Sequence, residues 1–143
     1  MYCILVADKE SIFRAVFATF LAKLFPNIMV SVVGNSAEAL ERIKADSPDV
    51  VFINVRLPDG NGLRLTKKIK NEYPDVACVV LSLYDYPEYS EAAISNQADY
   101  FISYAALKRE EIVRFIESKL PGIAIARSET ELTSGSRLKQ LRS

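Results

Sequence analysis

The stretch VVFINVRLPDGNG, residues 50–62, changes character sharply at Asn54. Val50, Val51, Phe52 and Ile53 form an apolar run, Asn54 interrupts it, and Pro58, Gly60 and Gly62 then turn the chain. A short β-branched and aromatic run closed by turn residues reads as a buried strand, here over 50–55, with a loop at its carboxyl end.

The flanks repeat that unit. CILVA (3–7) is a second buried strand, ending at Asp8. Ser11 opens a helix in which Phe13, Val16, Phe17, Phe20, Leu21 and Leu24 recur at three and four, the period of a core-facing helix, until Pro26. IMVSVV (28–33) is the next strand. Asn35 with Glu38 forms a capping box for a helix bearing Ala39, Leu40 and Ile43, stopped by Pro48. Downstream, Leu63, Leu65 and Ile69 mark a lysine-rich helix, VACVVLSL (76–83) a strand, 88–96 a helix and DYFIS (99–103) a strand. The last helix carries Ile112, Phe115, Ile116 and Leu120 and ends at Pro121. Five β–α units with near-continuous apolar strands give an α/β fold, a doubly wound parallel sheet covered on both faces. Its crevice lies beyond the carboxyl ends of the strands. That directs attention to Asp8 and Lys9, 54–62, 82–88 and 103–106. Residues 1–121 read as one domain, and the polar, serine-containing 122–143 as a linker or tail.

Composition narrows the chemistry. The chain has 143 residues, half of them apolar, and 18 basic residues balance 18 acidic ones. Zero net charge gives no general pull toward nucleic acid or an anionic membrane. No apolar stretch reaches the ~18 residues of a membrane span. MYCILVADKE lacks the features of a signal peptide, so a cytoplasmic location is expected. Histidine is absent, which removes His-dependent triads and His-ligated metals. Cys3 and Cys78 each sit within an apolar run and read as core residues, with no metal site. There is no glycine-rich phosphate fingerprint and no nucleophile elbow, so an enzyme is not expected.

LVADKESIFR, INVRLPDGNGL, VVLSLYD and ADYFISYA together resemble the receiver domain of two-component response regulators (CheY-like), over residues 2 to about 120. The resemblance implies a flavodoxin-like five-stranded sheet of strand order 2-1-3-4-5. It also implies an acidic pair that binds magnesium, a phosphoacceptor aspartate, a hydroxyl residue and a lysine, used in phosphorelay from a histidine kinase. Asp8 fits the first acid, Lys9 stands at the second, and Asn54 at the phosphoacceptor. Pro58 and Gly62 fit the family's loop positions. Ser82 fits the hydroxyl, Tyr100 the switch aromatic, and Ser103 stands at the lysine.

These departures make the chain resemble a degenerate receiver, a pseudo-receiver. An amide at Asn54 is not an anionic nucleophile, and an ammonium at Lys9 repels a divalent cation. Magnesium binding is therefore expected to be lost or weak, with no other cofactor. Lys9 either points into the former metal site near Asp8 and Asn54 or extends into solvent. The expected role is a phosphorylation-independent interaction and regulatory module. Its partner would be a protein: an output domain, a kinase or another regulator. Family likeness adds a homodimer through the fourth helix, fifth strand and fifth helix. Tyr84, Tyr86 and Tyr89 are candidate partner contacts, or simply a packed loop. The alternative is the regulatory half of a DNA-binding transcription regulator, with ELTSGSRLKQLRS near the opening of a helix-turn-helix output domain. On either reading this domain itself binds no membrane and no nucleic acid.

Overall fold

Each strand of the main sheet is followed by a helix that carries the chain back to the same end, so every pairing within that sheet is parallel. The computed structural model describes residues 1–126. Strand β1 (Cys3–Ala7) lies between β2 (Met29–Val33) and β3 (Val50–Asn54). Strand β4 (Ala77–Ser82) pairs with β3, and β5 (Tyr100–Ser103) pairs with β4. The spatial order is β2-β1-β3-β4-β5, as the resemblance implies. The helices are α1 (Ser11–Leu24), α2 (Ser36–Asp46), α3 (Gly62–Glu72), α4 (Pro87–Ser95) and α5 (Arg109–Lys119). None of the described helices is long and apolar enough to cross a membrane.

Alternation along the strands divides the core. Ile4, Val6, Phe52, Val79 and Leu81 face α1 and α5. Leu5, Ala7, Val51, Ile53 and Cys78 face α2 and α3. At the opposite end from the crevice, two aspartates start strands by the same device. The Asp49 carboxylate accepts from Cys3 N at 2.8 Å, and that of Asp99 accepts from Cys78 N at 2.8 Å. Each aligns the first rung of a parallel ladder. Lys70 joins the second by an ion pair to Asp99 at 2.9 Å.

Three details differ from the sequence reading. Val16, placed in the core by its spacing, is 61% exposed, because α1 buries only Phe17, Leu21 and Leu24 fully. Cys3 is half-buried at the sheet margin, while Cys78 is fully buried and its thiol is pushed up to about 12 by burial. The segment after Pro121 packs back on the domain. Ile123 and Ile125 rest on the core, and Ala126 N donates to Leu24 O at 2.8 Å. Residues 127–143, with the helix-turn-helix opening read there, lie outside the described residues.

The β3–α3 loop also holds a two-residue antiparallel ladder, Arg56–Leu57 with Gly60–Asn61, that periodicity did not indicate. It closes tightly: a Cβ on Gly62 would lie 2.0 Å from Asn54 O. That contact is with backbone and cannot be relieved by a rotamer change. Gly62→Ala is therefore expected to cost about 3 kcal/mol or more in denaturant unfolding and to disperse the Asn54 amide signals.

Candidate functional site

The carboxyl ends of β1, β3, β4 and β5 surround a cavity of about 260 Å³. Asp8 forms its floor and is 1% exposed. A buried carboxylate needs donors, and three elements supply them. Glu10 N donates to Oδ1 at 2.9 Å. Asn54 Nδ2 and the Tyr104 hydroxyl donate to Oδ2, each at 3.0 Å. The Asn54 carbonyl oxygen is used as well, accepting from Arg56 N at 2.8 Å. Asn54 thus bridges the Asp8 side chain to its own loop.

The expected residues divide into those that meet and those that do not. Asp8, Asn54 and Ser82 converge on the cavity, with Lys9 on its lining. Lys9 is exposed and forms no ion pair with Asp8, so the solvent alternative describes it. Ser82 is buried and its Oγ accepts from Tyr84 N at 3.1 Å. Ser103 does not reach the cavity. Its Oγ accepts from Ala105 N at 3.1 Å and caps the short turn Tyr104–Ala106. Tyr104 reaches it instead, with its ring 3.9 Å from that of Phe13. It lies in the 103–106 stretch that the sequence places beside the crevice, one residue past the position the resemblance marks. Its signal was a long side chain one residue beyond β5, where a reach of several ångströms is needed.

Tyr100 points to the α5 side. Its hydroxyl donates to Glu111 Oε2 at 2.6 Å and its ring stacks on Phe115 at 5.1 Å. Tyr84, Tyr86 and Tyr89 form a stacked series with centroids 5.3 and 5.8 Å apart. Tyr84 and Tyr86 are 42% and 50% exposed. Pro58 is exposed in the turn beside Asp59. The Asp59 carboxylate accepts from Ser36 N at 2.8 Å and Ala37 N at 3.0 Å. Those amide contacts at the start of α2 hold it below the usual aspartate value.

Comparison with known proteins decides the family. The response regulator receiver domain matches residues 4–117. The chain belongs to that family. It is 33% identical over 90 residues to the DNA-binding transcriptional activator DevR/DosR of Mycobacterium tuberculosis, covering 62% of this chain and 41% of that protein. It is 29% identical over 100 residues to the oxygen regulatory protein NreC of Staphylococcus carnosus, covering 69% and 46%. This receiver chain therefore spans somewhat under half the length of those relatives. Among solved structures, the signal receiver domain of a DNA-binding response regulator from Colwellia psychrerythraea 34H superposes with TM-score 0.77 at 17% identity, covering 82% of this chain and 97% of that one. A LuxR-family DNA-binding response regulator from Staphylococcus aureus gives TM-score 0.73 at 20% identity, covering 82% and 98%. These two share the receiver fold.

Both β5-end tyrosines titrate high. The hydrogen bond to Glu111, then burial, raises the Tyr100 phenol to about 12. Burial, then the Asp8 charge, pushes Tyr104 upward as well. A folded value above the unfolded one gives stabilisation that is complete below about pH 10 and lost as pH rises through the folded value. Stability is expected to fall between about pH 10 and 12. Glu111→Gln should lessen that fall. Tyr104→Phe should cost about 1.5–3 kcal/mol at neutral pH, as loss of a hydrogen bond to a charged acceptor. Chemical denaturation across pH reads both.

Proposed function

We propose that this receiver domain works without phosphorylation of an aspartate of its own, as a protein-interaction and regulatory module. The observation that carries this is the closed hydrogen-bond set of Asp8, Asn54 and Tyr104. At the end of β3, where the family resemblance places the phosphoacceptor, stands an amide that donates to Asp8. Magnesium does not fit this donor set. Asp8 Oδ2 already accepts two hydrogen bonds and Oδ1 one, the Asn54 oxygen accepts from Arg56 N, and the neighbouring position is a lysine. Hard cations need several free oxygens, with carboxylate charge among them. On this reading the pocket serves as a structural node.

Its output side is the face of α4, β5 and α5. The tyrosine series beside α4 offers rigid amphipathic contact area for a protein partner such as an output domain, a kinase or another regulator. Tyr100 ties β5 to α5 next to it. A cytoplasmic location goes with this reading.

A second reading has its own support. The relatives named above include a DNA-binding transcriptional activator, and this chain spans under half of its length. This domain would then be the regulatory half of a transcription regulator, its nucleic-acid contacts made by a separate output domain.

An amide-resolved NMR titration with magnesium, then with magnesium and beryllium fluoride, tests the primary reading. Signals of Asp8, Asn54, Ser82 and Tyr104 are expected to stay in place. Concerted shifts reaching α5 would overturn it. Asn54→Asp should lower stability by about 1–3 kcal/mol, because a donor to Asp8 becomes a second anion. An unchanged or raised stability in magnesium would argue that a metal enters after all.

A further inference from the structure

The cavity at the carboxyl ends of the strands has walls that its polar floor does not use. Phe13, Val55, Leu83, Tyr84, Tyr89 and Tyr104 line it, so its walls are mostly apolar and aromatic. At about 260 Å³ it exceeds the roughly 150 Å³ hole that takes one benzene, and it stays below the roughly 300–1,000 Å³ of pockets for drug-sized ligands. The space suits a flat molecule of one or two rings.

Polar groups at the two ends of the cavity set what such a molecule carries. Ser82 is 4% exposed, and its Oγ accepts from Tyr84 N. Its own proton goes to no acceptor among the described residues, although a buried hydroxyl ordinarily spends it. Ser82 is thus a spare donor on the cavity wall. At the mouth, Lys9 and Arg56 are exposed, and neither has an ion-pair partner among the described residues. Glu10 is exposed there too, and two cations against one carboxylate leave the mouth positive. The Asp8 charge lies deeper and is engaged by Glu10 N, Asn54 and Tyr104. It keeps a second anion off the floor. An anionic group is therefore favoured at the mouth and a neutral acceptor at the floor.

We propose that this cavity binds a small planar aromatic acid, its carboxylate between Lys9 and Arg56, its rings against the aromatic walls, and a hydroxyl or carbonyl oxygen accepting from Ser82. The inference deepens the reading above and rests on it: a small molecule takes the place of a phosphoryl group as the input. Charges at an exposed rim contribute little each. Burial of the rings supplies most of the affinity, and the polar ends supply the selection. Tyr84 and Tyr89 belong both to the cavity and to the stacked series beside α4. Filling the cavity therefore acts on the surface offered to a protein partner.

Amide-resolved NMR titration of the 143-residue chain with 6-hydroxy-2-naphthoate tests this, with 2-naphthoate and 2-naphthol as comparisons that each lack one polar end. The hydroxynaphthoate should bind with a dissociation constant below about 1 mM and shift the signals of Phe13, Ser82, Tyr84 and Tyr89. Each comparison compound should bind about three- to tenfold more weakly. Ser82→Ala should remove the advantage of the hydroxynaphthoate over 2-naphthoate. Lys9→Gln combined with Arg56→Gln, both at exposed positions, should remove its advantage over 2-naphthol. A chain that ignores all three compounds at millimolar concentration overturns the inference. So does equal binding of 2-naphthol and the acid, or shifts confined to residues away from the cavity. Those results leave the phosphorylation-independent reading standing, since that reading falls to a response to magnesium and beryllium fluoride instead.

Discussion

A carboxylate sealed in at 1% exposure must be given hydrogen-bond donors, and the bonds Asp8 makes organise most of the carboxyl edge of the sheet. They come from three places: the turn after β1, the end of β3, and the residue beyond β5. The backbone of Asp8 adds two more ties, with its N–H on Val33 O at the end of β2 and its carbonyl on Arg14 of α1. Four strand ends are therefore referenced to one residue. Withdrawing a donor would leave an unsatisfied charge in a low-dielectric site, which costs more than the bond itself contributes. The pocket thus resists opening locally.

The same strand end also makes contacts with two helices. Tyr104 touches Asp8 with its hydroxyl and Phe13 of α1 with its ring, so displacement of the phenol has to be accommodated by α1. Four residues earlier on the same side, Tyr100 binds Glu111 and stacks on Phe115 of α5. Tyr104 thereby joins the crevice to α1, and Tyr100 joins β5 to α5. A regulatory domain needs an element that two sites can bias together, and β5 with its exit has that connectivity.

The architecture was legible because periodicity and breakers agreed. Apolar runs ended at Asp8, Gly34 and Asn54, and Pro26, Pro48 and Pro121 stopped helices. Asn35 capped α2 as expected, its side chain accepting from Glu38 N at 2.9 Å. Glu38 did something slightly different from a capping box, reaching back to Gly34 N at 3.0 Å. The crevice was legible in its β1, β3 and β4 members, since strand ends are fixed by the pattern. It failed at β5 by one residue. Ser103 and Tyr104 are neighbours, and which of them enters the crevice depends on how the chain leaves the strand. The Ser103 hydroxyl bonds its own turn. Val16 failed for a related reason: a helix with apolar residues all round gives spacing no polar face to orient by.

The fate of Lys9 follows from electrostatics. One solution for the Asp8 charge would have been to bring the ammonium inward and form a buried ion pair. That requires stripping water from a second charge, at a cost of several kcal/mol that attraction recovers only in ideal geometry. A neutral amide and a neutral phenol satisfy the same carboxylate with one charge buried instead of two. The phenol suits this task because burial and the adjacent anion both raise its titration point, keeping its proton on the side facing Asp8. Lys9 can then stay in water at the rim, close enough in sequence to moderate the pocket's field but free of any structural duty. Asn54 and Tyr104 form a cooperating pair in this arrangement, because each donates to the same oxygen and loss of either leaves that oxygen half served.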